Sequence, residues 1–408
     1  VITVEKALKA VMHEVRRLGR ERVDLLESLN RVLADPIVAR RDQPPWDNSA
    51  MDGYAVCAED VRNAPSVFQV VEEIPAGCLP TRSLHPGQAS RIMTGAPLPQ
   101  GADAVVRVED TESRGKRVRI LRAVAAGENI RKRAEDFKAG EVVIPKDTLV
   151  GAAEVGMMAS VGSGRVSVYQ RPRVAILATG DELVDLDEEP GPHQIRNSNA
   201  YALAAQVKAA GGVFTLLGIG RDRLKDLMDK LESARNADLI LISGGVSVGK
   251  YDFVRKALEE SGVRLSFYKV AMKPGHPLVL GTRAGQLIFG LPGNPVSTLV
   301  TFEEFVRPAL LYMSGHHAIF RPTVHAVMKE PYRKEDGKTH FIRAIVTEKN
   351  GRYAVRTTGQ QGSGLLSSMV KANALIVIPE SVREVSRGQK VVVQLLDKGL
   401  RGQAVPGY

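Results

Sequence analysis

The sequence predicts a multidomain α/β-plus-β protein, with a doubly wound α/β domain flanked in the chain by β domains. Three observations carry this. Val174–Leu177 and Leu239–Ile242 are short, uninterrupted apolar runs, the pattern of strands buried on both faces of a parallel sheet. Helical stripes lie between such runs, as in Leu224, Leu227, Met228 and Leu231. On either side, short strand-like segments alternate with Gly, Pro and Asp turns, the pattern of small β domains.

In chain order, Thr3 is placed to cap a helix reaching about Gly19, with Ala7, Leu8, Val11 and Val15 on its apolar stripe. A second helical pattern follows through Leu25, Leu29, Val32 and Leu33. From Arg41 the character changes. The segment DQPPWDNSAMDGYAV holds the single tryptophan, and Pro44-Pro45 forces extended backbone. Asp47, Asn48, Ser49 and Asp52 crowd more polar groups into this loop than a turn needs, which points to function. Strand-like VFQVVEEI, ASRIMTG, DAVVRVED and RVRILRAV follow, enclosing the constrained loop Met93 to Pro99, which includes Thr94. Gly127 to Ile130 leads on to Glu135-Asp136. Residues 149–162 are small and apolar and read as a helix ended by glycine.

Strand Val174–Leu177 runs into Thr179-Gly180-Asp181-Glu182. Ser198 and Asp222 are placed to cap the next two helices, separated by a strand from Val213 to Gly218. Leu239–Ile242 then runs into Ser243, Gly244 and Gly245, followed by Ser247, Gly249 and Asp252, the last at a predicted helix start. Glycine here lets backbone N–H groups approach a ligand, and a strand, a Gly/Ser loop and a helix start make an anion site. Neither a Walker lysine pattern nor GxGxxG is present. In a doubly wound sheet ligands sit at the carboxyl ends of strands, where both polar loops fall. Further strands reach Lys269 and Lys273-Pro274-Gly275-His276-Pro277. Leu287 to Phe289 ends in Gly290-Leu291-Pro292-Gly293-Asn294-Pro295-Val296-Ser297, a rigid loop opening a helix from Thr298 to Tyr312. Five short strands between 320 and 398 predict a second β domain, a small barrel or sandwich.

Composition narrows the function. A net charge of +10 favours anionic partners. The basic residues are scattered, aromatics make up only 5%, and no nucleic-acid-binding motif accompanies Arg131-Lys132-Arg133, so a small anionic substrate is expected rather than nucleic acid. With two cysteines and no metal-ligand spacing, neither a disulfide framework nor a zinc site is readable. There is no apolar run of about 18 residues and no signal-peptide core, which predicts a cytoplasmic protein without membrane contact. Carboxylates, lysines and anion loops together suit a metal-dependent attack on a phosphate-containing substrate.

PPWDNSAMDGYAV, IMTGAPLP, RKRAEDFKAGEVV, LATGDEL, SGGVSVGKYDFV, MKPGHP and GLPGNPVS follow one another through residues 44–297. In these motifs and their order the chain resembles the molybdopterin molybdenumtransferases, the family that includes the E domain of gephyrin. The resemblance implies N-terminal helices and an elongated linker domain (1–43 and 137–167), an inserted β domain (44–136), a molybdopterin-binding α/β domain (168–315) and a C-terminal β-barrel-like domain (318–400). It implies a homodimer, with a cleft combining the α/β domain of one subunit and the linker and inserted domains of the other. It also implies transient contact with other molybdenum cofactor biosynthesis proteins.

The implied reaction takes adenylylated molybdopterin and molybdate as substrates, releases AMP with Mg²⁺ assistance and leaves molybdenum on the dithiolene. The match gives catalytic weight to Asp52, Thr94, Asp136, Glu182, Asp222, Asp252, Lys269 and Lys273, with Glu182 and Asp252 as metal ligands. Substrate contacts are expected from Ser243, Gly244, Gly245, Ser247, Gly249, Pro292, Gly293, Asn294, Pro295, Ser297, Arg343 and Ser363. His276 stands where many relatives carry lysine, which weakens a molybdate contact there. A molybdopterin adenylyltransferase and a non-catalytic, gephyrin-like scaffold are the alternatives.

Overall fold

The computed structural model describes residues 1–245 and 253–396. The chain begins with helix α1 (Val4–Glu14), capped as predicted: the Thr3 hydroxyl accepts the Lys6 N–H at 3.3 Å. The helix stops short of Gly19 because Val15 is already extended. The second predicted helix is absent. Leu25–Ser28 makes one 3₁₀ turn, and Asn30, at φ 61°, turns the chain out of helical geometry. Leu33 is nonetheless buried. The expected pair of N-terminal helices is therefore a single helix.

The chain forms two compact units: residues 24–29 with 35–166, and residues 1–23 with 30–34 and the described residues from Ser167 onward. The first is built on a half-barrel sheet of β1 (Gly53–Val56), β2 (Ser66–Ile74), β3 (Gln88–Ile92), β4 (Ala104–Arg107), β5 (Thr111–Arg114) and β6 (Arg117–Ile120), in the order β4-β1-β3-β2-β6-β5. Both faces are covered. Tyr54, Val56, Phe68, Val106 and Val118 pack on one and Ala55, Ile74, Ile92 and Val105 on the other. Helix α2 (Ala152–Ser160) opens at Gly151, whose N–H is taken by the Glu154 carboxylate at 2.8 Å.

The second unit holds β7 (Arg173–Thr179), α3 (Ser198–Ala209), β8 (Val213–Gly220), α4 (Leu224–Ser233), β9 (Leu239–Ser243), α5 (Phe253–Glu260), β10 (Arg264–Lys269), β11 (Met272–Lys273), β12 (Pro277–Arg283) and β13 (Gln286–Leu291). The sheet order is β8-β7-β9-β13-β12-β10. The first four strands are parallel, whereas β12 and β10 join antiparallel, so the sheet is mixed rather than wholly parallel. The short Ala284–Gly285 turn between β12 and β13 accounts for this, since a parallel return needs a crossover. Alternate residues of β7 and β9 feed two cores, which is why their sequences read as continuous apolar runs. Val174, Ile176, Leu239 and Leu241 meet α1 and α3, while Ala175, Leu177, Ile240 and Ile242 meet α4 and α5. Winding reverses between β7 and β9, and their carboxyl ends form a topological switch point.

The closing helical run is α6 (Pro295–Thr301), a π-helical turn over Phe302–Val306, and α7 (Arg307–Met313). It opens at Pro295, ahead of the predicted Thr298, because proline suits the first helical position. Then β14 (Thr323–Met328), β15 (Thr339–Lys349), β16 (Arg352–Thr357), α8 (Leu366–Lys371), β17 (Ala374–Ile378) and β18 (Lys390–Leu395) follow. The strands close a five-stranded barrel, β15-β16-β14-β18-β17, through β15–β17 pairing. Strand β11 pairs in parallel with β15, stitching the α/β module to the barrel. Among the described residues no helix is long and apolar enough to cross a membrane.

Candidate active site

The switch-point loops show why glycine is required. Gly244 has φ 94°, and a Cβ on it would lie 2.6 Å from the Thr179 carbonyl oxygen. Gly245 has φ 65°, and a Cβ there would come within 2.8 Å of Thr179 Oγ1. The loop after β9 thus sits directly on the loop after β7, and Thr179 Oγ1 lies buried beneath it without a hydrogen-bond partner among the described residues. Gly180, at φ 143°, leaves room for the Glu182 carboxylate to fold back over it. Gly293 packs against Gly244, bringing the third loop alongside.

Asn199 ties these loops together: its Nδ2 donates to Ser243 Oγ at 2.9 Å and to the Gly293 carbonyl at 2.7 Å. Thr298 Oγ1 donates to the Pro292 carbonyl at 2.5 Å and holds the third loop from below. The result is a cleft of about 550 Å³. It brings together Glu182, Asp222, Ser243, Gly244, Gly245, Pro292, Gly293, Asn294 and Pro295, all predicted from sequence. Ser247, Gly249 and Asp252 lie outside the described residues.

Two predicted caps change hands. Helix α3 is capped by Asn197, whose Oδ1 accepts the Ala200 N–H at 3.2 Å, not by Ser198. Asp222 caps nothing: Arg223 occupies the cap position of α4, and Asp226 takes the Arg221 N–H at 2.8 Å. The Asp222 carboxyl instead belongs to the cleft. Burial pushes it above the ordinary carboxylate range, and the charges of Asp181 and Glu182 push it further. Mutually repelling carboxylates beside an anion loop suit a hard divalent cation, although among the described residues no three His, Cys, Asp or Glu side chains converge as a ready ligand set.

The barrel reaches the rim through Ser363, whose carbonyl accepts the Val296 N–H at 3.1 Å and whose Oγ accepts Asn294 Nδ2 at 3.0 Å. Arg343 is buried; Nε donates to Ser368 Oγ at 3.1 Å and Nη2 to the Gly362 carbonyl at 3.0 Å, so it braces the loop carrying Ser363. Burial lowers its guanidinium to about 10, still charged at neutral pH. Ser297 is buried inside α6. Lys269 and Lys273 lie beyond the cleft lining, at the end of β10 and on β11. His276 Nδ1 donates to the Val270 carbonyl at 2.7 Å, which fixes its ring.

In the other unit, Asp52 Oδ1 accepts both the N–H and the hydroxyl of Thr94, at 2.7 and 2.8 Å. These bonds, the N–H first, hold the Asp52 carboxyl below its usual range. Asp136 lines a separate cavity of about 610 Å³ with Trp46, Asn48, Arg131 and Glu135. Asp47, accepting Lys132 Nζ at 2.9 Å and the Arg133 N–H at 2.8 Å, fixes the facing loops. Sequence reasoning placed Thr179 in the rim loop without giving it a role, and it missed Asn199 as a site builder. The only local signal for Asn199 was an asparagine in the first turn of a helix.

Comparison with known proteins matches the chain in three stretches. Residues 2–162 match the MoeA N-terminal region (domain I and II), 175–312 the probable molybdopterin binding domain, and 325–396 the MoeA C-terminal region (domain IV). The chain is 42% identical over 383 residues to the molybdopterin molybdenumtransferase of Nostoc sp. strain PCC 7120, covering 91% of this chain and 88% of that one. It is 37% identical over 407 residues to that of Bacillus subtilis, covering 97% and 94%. The crystal structure of the molybdopterin biosynthesis moeA protein from Pyrococcus horikoshii OT3 superposes with a TM-score of 0.82 at 33% identity, covering 97% of this chain and 100% of that one.

Proposed function

This chain belongs to the molybdopterin molybdenumtransferase family, and on that premise we propose that it inserts molybdenum into molybdopterin during molybdenum cofactor biosynthesis. The finer reading is that adenylylated molybdopterin and molybdate are the substrates, that AMP is released, and that Mg²⁺ assists. The observation that carries this reading is the meeting of two glycine-bearing loops, Ser243–Gly245 and Pro292–Pro295, over Glu182 and Asp222 at the switch point. Backbone N–H groups held at fixed separation bind compact oxyanions without reorganising.

Each residue has a chemical task in this scheme. The loop amides bind phosphate oxygens, and Asn199 keeps the two loops in register. Glu182 and Asp222 supply oxygen donors for Mg²⁺, joined by Asp252 on the sequence expectation, with waters completing the shell. When bound, the cation neutralises charge building on the phosphoanhydride. Glu182 also orients the attacking water. Lys273 contacts the molybdate oxyanion as a compact point charge, and Asp52, its carboxylate fixed by Thr94, keeps the catalytic role that the resemblance implies.

A homodimer in the cytoplasm belongs to the same reading; light scattering that finds only a ~44 kDa species removes the dimer. The deciding experiment measures AMP release from adenylylated molybdopterin, with and without molybdate and Mg²⁺. Release that depends on both is expected. Addition of AMP from ATP to molybdopterin, with no molybdate-dependent release, replaces this reading with the adenylyltransferase.

A further inference from the structure

A polar chain beside the barrel, buried at His340, takes no part in the scheme above. The Tyr332 hydroxyl meets His340 Nδ1 at 2.8 Å, and His340 Nε2 meets Asp336 Oδ1 at 2.6 Å. The proton positions follow from the partners. An ionised carboxylate only accepts, so Nε2 carries the ring proton, and Nδ1 of the neutral ring accepts from the tyrosine hydroxyl. Burial lowers the His340 ring below its usual value, with Asp336 pulling the other way and Lys334 and Lys273 lowering it further, which keeps the ring neutral near pH 7. His340 is almost wholly enclosed and locked between its two partners.

This chain stands beside Lys273. In the parallel pairing of β11 with β15, Lys273 is the register partner of His340. Residues paired across a ladder project to the same face. The Lys273 side chain is exposed and, among the described residues, makes no hydrogen bond or ion pair. Its charge nonetheless reaches both Asp336 and His340. The Lys338 N–H also favours the charged form of Asp336, whose carboxylate His340 Nε2 holds. Lys334, the other ammonium near Asp336, is bound to the Lys338, Ile378 and Pro379 carbonyls and is not free to compete.

We propose that Asp336, locked by His340 and Tyr332, is a positioning residue that holds the Lys273 ammonium in place for an incoming molybdate-like oxyanion. This rests on the reading of Lys273 as the oxyanion contact. A lysine on a flexible four-carbon stem gains affinity when its rotamers are already restricted, and a fixed carboxylate at longer range restricts them without closing an ion pair that the oxyanion must break.

The test measures KM for molybdate and kcat for AMP release in Lys273→Ala, Asp336→Asn and the double variant. Asp336→Asn should raise KM by about fivefold and leave kcat at saturating molybdate unchanged, as expected for weakened substrate binding alone. The double variant should be no worse than Lys273→Ala, since Asp336 acts only through the lysine. Effects that add, or a fall in kcat with KM unmoved, overturn the proposal. Raised KM in Lys273→Ala with Asp336→Asn unmoved removes the positioning role and leaves the oxyanion contact standing. Unchanged KM in Lys273→Ala removes the oxyanion reading and the positioning role with it. Should Asp336→Asn fail to fold, Tyr332→Phe, which removes only the outermost hydroxyl, is read instead: a raised KM at normal kcat supports the proposal and an unmoved KM overturns it.

Discussion

Replacing Glu304 by glutamine should abolish a loss of stability that the wild-type protein suffers as pH rises. The π-helical turn over Phe302–Val306 carries two consecutive glutamates, Glu303 and Glu304. Glu303 takes the cations: Arg321 Nε lies 3.0 Å and Arg307 Nε 3.9 Å from its Oε2. Glu304 is left with the Gln394 amide, while its Oε1 and Gln394 Oε1 are both buried without a partner among the described residues. Burial, with the charge of Glu303 added, raises its carboxyl from 4.5 to about 8. The folded protein therefore keeps a proton here that the unfolded chain has lost. The sign follows: the contribution is full below pH 4.5 and disappears as pH rises to about 8. At about 1.4 kcal/mol per pH unit the upper bound is about 5 kcal/mol, less where water reaches the second oxygen. Calorimetry from pH 5 to 8.5 should show wild-type Tm falling. Glu304→Gln, which mimics the protonated acid, should hold roughly 5 °C more of its Tm at the upper end. Equal pH slopes in the two proteins would refute the assignment.

Three further outcomes are expected. Gly244→Ala should cost about 1–3 kcal/mol of stability and most AMP release, because the new methyl meets the Thr179 carbonyl at a left-handed position; wild-type turnover would mean the loop relaxes freely. Glu182→Gln should lower AMP release by about 10²-fold with Tm unmoved, and near-normal release at saturating Mg²⁺ would make Glu182 structural. Mg²⁺ should raise the Tm of the wild-type protein and raise that of Asp222→Asn less, since the cation relieves repulsion among Asp181, Glu182 and Asp222; equal shifts would place the cation elsewhere.

Much of the fold and of the cleft was legible because its determinants are local. Strands buried on both faces leave uninterrupted apolar runs, and loops that press backbone on backbone demand glycine; Gly244 and Gly245 are visible on both counts. What was not legible depends on pairing across the chain. Leu25, Leu29 and Leu33 have helical spacing, yet Asn30 in the left-handed region breaks the helix, and nothing in the spacing reveals it. The π-helical turn that carries Glu303 and Glu304 has no composition of its own, and their partners Arg321 and Gln394 are distant in sequence. The neighbourhood of Lys273 and His340 exists only through β11–β15 register.

Asp222 shows how a local rule can hide a carboxylate of the cleft. An aspartate just before an amphipathic stripe reads as a helix cap, and capping alone would account for its presence. The structure gives the cap position to Arg223, with no side-chain cap bond, and Asp226 reaches back to the Arg221 N–H ahead of the helix, so Asp222 does not act as the cap. It sits instead where burial and two neighbouring carboxylates oppose its charge. A side chain held in that position destabilises the protein alone and becomes favourable once a cation enters. A cation-binding site would carry that signature and a scaffold would not, so the Mg²⁺-dependent Tm of Asp222→Asn distinguishes the two without any turnover.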